Sequence, residues 1–161
     1  METVLSMFSK PGLFPLFILL FVGITFLVFR YTTSKIKRIY SIVCMCVWGL
    51  GLLYVTWLSR TPIWETRVNF IPFQPDMNTT AFDYVTNIVM FIPYPLLLYG
   101  VLQKKLKFSC LTGAGIGLSL AIELLQLITH RGVCDMEDLI LNSVGALLGT
   151  LATGLLMKIE K

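Results

Sequence analysis

Residues 109–150 read SCLTGAGIGLSLAIELLQLITHRGVCDMEDLILNSVGALLGT, and this stretch decides the fold. It holds one apolar run, 109–129, and most of a second, 139–157, joined by a short polar connection from His130 to Glu137. A bilayer core takes roughly 20 apolar residues as a helix, so each run is long enough to span it. Polar groups punctuate both runs at helical spacing. Glu123, Gln126 and His130 fall at i, i+3 and i+7; Asp138 and Asn142 fall at i and i+4, with Gly145 and Gly149 continuing their stripe. Residues three or four apart share a helix face. An ionisable group inside a span is expensive, and is a functional candidate by default. Polar groups turned to lipid would go unpaired, so the stripes are expected to face one another.

The same criterion marks three further spans upstream, at about 11–29, 39–59 and 82–102. The reading is an all-α membrane protein, one domain over 1–161, built as a bundle of about five transmembrane helices with a folded outer loop. Composition agrees: of 161 residues, 56% are apolar and 14% charged, against about 25% charged in soluble domains. Mean hydropathy is +0.79. Disorder and a two-domain soluble enzyme are excluded. Cys44, Cys46, Cys110 and Cys134 are scattered, three of them in or against apolar segments, which is not a secreted disulfide framework. Lys10 before an apolar run imitates a signal peptide, but the run is a full span with no small-residue cleavage site after it; it reads as a permanent helix. In the third span Asp83 and Asn87 share a face, and Pro93 and Pro95 are expected to kink or break the helix. Gly113, Gly115, Gly117 and the Gly145–Gly149 pair read as packing features.

Charge sets the topology. Nine of the thirteen basic residues lie in the first-to-second connection (Arg30, Lys35, Lys37, Arg38), the third-to-fourth connection (Lys104, Lys105, Lys107) and the tail (Lys158, Lys161). The positive-inside rule then places the N-terminus outside and the C-terminus in the cytoplasm. The basic loops are expected to anchor to anionic lipid. The outer face is made of the N-terminal segment, the long loop Arg60 to Ala81 and the loop His130 to Glu137. Phe70, Ile71 and Phe73 suit a loop folding back onto the bundle mouth, and Trp57 and Trp64 suit the headgroup level. Arg131, at that mouth, is the expected cation for Glu123, Asp135 or Asp138.

The ordered set Asn69-Phe70-x-Pro72-Phe73, Asp83-x3-Asn87-x3-Phe91-Ile92-Pro93, Glu123-x2-Gln126-x4-Arg131 and Asp135-x2-Asp138-x3-Asn142-x2-Gly145-x3-Gly149 resembles the VanZ-like family of small bacterial membrane proteins. The resemblance covers residues 69–150, about half the chain. Tyr94-Pro95 stands where that family often has a glycine, and Cys134 is not a family feature. The resemblance implies a multi-pass protein of the bacterial cell membrane, associated with low-level resistance to teicoplanin and related lipoglycopeptides, and brings no catalytic mechanism with it. It is compatible with a polar cluster facing the cell surface, where such antibiotics bind the D-Ala-D-Ala ends of peptidoglycan precursors.

The candidate binding residues are Asn69, Pro72, Phe73, Asp83, Asn87, Glu123, Gln126, Arg131, Asp135, Asp138 and Asn142. One reading is a self-satisfied network that holds helix register, where each bond contributes about 1 kcal/mol. The favoured one is an outward site for a polar head group, because three ionisable groups at one mouth exceed what register requires. A third makes the protein an intramembrane enzyme on a lipid or lipid-linked cell-wall intermediate, with Glu123 as acid or base; a transporter or scaffold role also stays open. No hydrolase triad, HExxH or phosphate loop is present. His130 and Cys134 are too few for zinc, so no metal and no cofactor are expected. Membrane lipids are the expected partners, with a lipoglycopeptide or peptidoglycan precursor at the outer face. The basic residues are too dispersed for nucleic acid.

Overall fold

The structure is a computed structural model describing residues 13–62, 68–73, 81–103 and 106–159. Lys10, Trp64, Arg67, Pro75, Lys104, Lys105 and Lys161 lie outside the described residues. Helix α1 spans Leu13–Tyr31. Helix α2 spans Ser34–Leu53 and runs on as a π-helical turn, Tyr54–Leu58. Helix α3 spans Ala81–Phe91 and α4 spans Pro93–Leu102, two halves of one interrupted rod. Helix α5 spans Phe108–Thr129 and α6 spans Met136–Ile159. Among the described residues, four rods are long and apolar enough to cross a membrane: Ser34–Leu58, Ala81–Leu102, Phe108–Thr129 and Met136–Lys158; Pro15–Tyr31 is a shorter apolar helix. Helix α2 starts at Ser34, ahead of its apolar run, because Lys35, Lys37 and Arg38 favour helix and extend it past the hydrophobic boundary. Glu137 and Asp138 fill the first turn of α6, where acids complement the helix dipole.

The bundle centres on α6, which packs against α3, α4 and α5. Its glycines explain the closeness. A Cβ on Gly145 would collide with the carbonyl oxygen of Ile88, and one on Gly149 with that of Ile92. The α6 backbone is thus laid directly on the α3–α4 rod at the point where that rod breaks. Gly115 makes a similar approach to Ala146. Gly113 and Gly117 correct the expectation: nothing lies within 4 Å of a Cβ at either, so only the middle glycine of that run serves packing. Two apolar clusters fill the interior, one of Phe29, Leu96 and Leu156, the other of Leu52, Met90, Phe91 and Ile122. Leu16, Leu20, Val47, Leu50 and Ile128 are exposed on the outside, as lipid-facing side chains are.

The proline break falls where expected. Pro93 has no N–H, α3 ends at Phe91, and the Ile92 N–H bonds Val89 O at 3.2 Å in a tighter turn. Irregular backbone at membrane depth must be covered by protein. Here α6 covers one side through Gly149, and the Trp48 indole donates to Met90 O at 3.0 Å on the other. The Trp48 ring meets Phe91 edge-on, at 6.2 Å between centroids.

Where α5 ends and α6 begins, two short strands pair in parallel: β1, Val68–Asn69, with β2, Cys134–Asp135. This pairing ties the long loop to the start of α6. Segment 68–73 is thereby held at the bundle end, with the Phe70 side chain 71% exposed and that of Ile71 60%.

Candidate functional site

The site is built where α5 ends and α6 begins. Helix α5 stops because His130 adopts a left-handed conformation at φ 54°, its N–H reaching back to Leu127 O at 3.4 Å. Gly132 follows at φ 106°, and a Cβ there would meet Arg60 Cδ at 2.9 Å. The chain can thus reverse tightly and bring Asp135 back over Glu123, whose Oε2 accepts the Asp135 N–H at 2.8 Å. Glu123 is 2% exposed and Gln126 1% exposed. A carboxylate buried to that degree must be held by donors. The expected i, i+3 stripe thus turns inward, except for His130, which is exposed.

Asp135 is the hub of the loop. Its Oδ1 accepts the Glu137 N–H at 2.8 Å, capping α6, and its Oδ2 accepts Asn69 Nδ2 at 3.2 Å. Asn69 Oδ1 in turn accepts the Ile71 N–H at 3.1 Å, closing a turn that leads to Pro72. The Phe73 N–H donates to Glu137 Oε2 at 2.7 Å, and its ring lies edge-on to Tyr84 at 6.1 Å. One turn into α6, Asp138 Oδ1 accepts Asn87 Nδ2 from α3, and its Oδ2 lies 3.9 Å from Arg60 Nη2. Asn142, one turn further, donates to Ser119 Oγ at 3.0 Å. Asp83 is exposed, one turn of α3 beyond Asn87.

The cation differs from the one expected. Arg131 does not stand against the carboxylates. Its Nη1 donates to Leu58 O at 3.3 Å and to Arg60 O at 3.4 Å, and its guanidinium lies 5.4 Å from the Trp57 ring centroid. An antiparallel bridge between Pro62 and Arg131 holds it there. The cation beside Asp138 is Arg60. The cause is the π-helical turn ending α2, which leaves carbonyls unused by the helix. Thr56 O accepts Gln126 Nε2 at 2.6 Å, and Leu58 O is taken by Arg131. Trp57 Nε1 donates to Thr129 Oγ1 at 2.8 Å. Sequence reasoning missed Arg60, Thr56, Ser119 and the anchoring role of Glu137. Arg60 carried a signal, since it follows the second apolar run directly. Thr56 and Ser119 carried none, because isolated hydroxyls in spans usually bond their own helix.

The end of the bundle therefore has two layers. Glu123, Gln126 and Asn142 are buried beneath; Asp135, Asp138, Arg60 and Arg131 are partly open above. Asp138 and Arg60 side chains are 23% and 40% exposed. Two buried acceptors, Gln126 Oε1 and Asn142 Oδ1, make no hydrogen bond, a state that costs about 1–3 kcal/mol for each group. Burial holds the Cys134 thiol above its usual range, and the Glu123 and Asp135 carboxylates add to the effect. Among the described residues, no three His, Cys, Asp or Glu side chains gather as a metal site.

Rods of membrane-spanning length, with carboxylates, amides and arginines gathered at one end, define a multi-pass membrane protein with a polar site at one face. The VanZ/LLP1 family model matches residues 13–157, and the chain belongs to that family. It is similar to Protein VanZ of Enterococcus faecium, at 31% identity over 118 residues, covering 66% of this chain and 73% of that protein. It is also similar to the uncharacterized membrane protein YkoS of Bacillus subtilis, at 23% identity over 96 residues, covering 60% of this chain and only 17% of that one. No solved structure matches the chain.

Proposed function

We propose that this VanZ-family protein lies in a bacterial cell membrane with its polar end outward, N-terminus outside and C-terminus in the cytoplasm. In this reading the polar end lowers the access of teicoplanin and related lipoglycopeptides to their target. The observation that carries the reading is the layered arrangement itself: a buried framework of Glu123, Gln126 and Asn142 beneath a half-open pair of Asp138 and Arg60. The framework sets the positions of the upper groups, and the upper groups meet the ligand. The ligand is a polar head group rich in N–H and O–H donors, that of the drug or of the peptidoglycan precursor it binds. The half-open Asp135 and Asp138 carboxylates supply acceptors. Supporting the orientation, the described basic residues Arg30, Lys35, Lys37, Arg38, Lys107 and Lys158 all lie at the other end of the rods.

Burial of Glu123 and its bond to the Asp135 amide favour a positioning role over acid-base catalysis. The test is teicoplanin susceptibility in a sensitive Gram-positive host, with vancomycin as comparison, at matched membrane levels of wild type, Asp138→Asn and Arg60→Gln. Protection by the wild type that either substitution abolishes supports the reading. No protection at good expression refutes it, and so does protection that both variants retain in full.

A further inference from the structure

At the end of the bundle opposite the polar site, α5 begins and α6 finishes, and a groove of about 300 Å³ opens between them. That volume is at the lower end of the range for small-molecule sites, about 300–1,000 Å³. Leu106, Phe108, Leu111 and Met157 form its apolar wall, Gly154 opens its side, and Lys158 stands at its edge. Nothing lies within 4 Å of a Cβ built on Gly154, so no protein group fills that space. Thr150 also lines the groove, but its hydroxyl donates to Ala146 O at 2.9 Å and accepts from Thr112 Oγ1 at 3.2 Å. The floor therefore presents no unpaired polar atom. Lys107, between the lining residues Leu106 and Phe108, is exposed and makes no side-chain cap to α5. The groove is thus apolar inside and cationic at its edge, at the ends of two spanning helices, where lipid headgroups meet the protein.

We propose that this groove binds one anionic phospholipid, its phosphate between Lys158 and Lys107 and an acyl chain along Phe108, Leu111 and Met157. Charge complementarity selects the headgroup: a basic pocket between spanning helices favours anionic over zwitterionic lipid. The proposal is independent of the function assigned to the polar end.

The test is native mass spectrometry of the delipidated full-length protein, titrated with phosphatidylglycerol and with phosphatidylcholine of matched chains. The wild type is expected to retain one phosphatidylglycerol selectively. Lys158→Gln is expected to reduce the preference about fivefold, the worth of one cation near an anionic surface. Gly154→Leu puts a side chain into the open space and is expected to remove the tight adduct while leaving the melting temperature near that of the wild type. Lys35→Gln, at an exposed lysine that does not line the groove, is expected to leave the preference intact. Equal retention of the two lipids by the wild type overturns the proposal. So does a tight adduct that survives Gly154→Leu, or a loss from Lys35→Gln equal to that from Lys158→Gln.

Discussion

Replacing Gly145 with alanine adds one methyl group where the α6 backbone lies directly on the α3 backbone. The added Cβ would strike the Ile88 carbonyl oxygen, with Ile88 C at 2.9 Å and Phe91 Cβ at 3.0 Å behind it. The obstacle is backbone, which cannot rotate away as a side chain can. Helix α3 must therefore move off α6. Overpacking of this kind costs about 1–3 kcal/mol, against which the better helix propensity of alanine returns less than about 1 kcal/mol. For a chain of this size each kcal/mol moves the midpoint by about 2–4 °C, so a loss of several degrees is expected. Asn87 precedes Ile88 on α3 and bonds Asp138, so the same shift also loosens the polar site. The assay is thermal unfolding of purified protein in detergent, alongside Gly154→Ala, where nothing lies within 4 Å of the new methyl. The control is expected to melt at or above the wild type. If Gly145→Ala melts with the wild type, the reasoning about the α3–α6 crossing is refuted.

Three further outcomes are expected. Glu123→Gln keeps an acceptor for the Asp135 N–H and should preserve membrane abundance, whereas Glu123→Ala leaves that donor unpaired and should lower stability by about 1–3 kcal/mol; pulse-chase half-lives would separate the two. Trp48→Phe removes the donor to Met90 O at the proline break and should cost about 1 kcal/mol, measured as a lower melting temperature. Because burial first, and then Glu123 and Asp135, hold the Cys134 thiol above its ordinary range, less thiolate is present at a given pH. Its maleimide reaction in a Cys134-only variant should therefore be slow at neutral pH and accelerate as pH rises, with Asp135→Asn shifting that rise to lower pH. An unchanged profile would exclude the charge effect.

Period and composition made the helices legible. Lipid admits only satisfied backbone, so every long apolar run had to be a helix, and the polar groups within the spans of α5 and α6 had to turn inward, whereas His130, past the end of α5, stays exposed. Pro93 announced its own break, because a missing N–H is a property of the residue alone. The partner of each polar group was not legible in the same way. Arg131 and Arg60 are chemically equivalent and both lie at the same end; Asp138 meets Arg60 because the π-helical turn hands its carbonyls to Arg131 and Gln126. Likewise three glycines on α5 look alike in sequence, yet only Gly115 meets a neighbour. The chain's own residues determine which segments cross the membrane, which faces are polar and where a helix must break, since those follow from local covalent chemistry and from burial in lipid. Which arginine faces which carboxylate, which glycine carries a crossing and which carbonyls stand free were decided by tertiary structure, because they depend on how rods distant in sequence are rotated against one another.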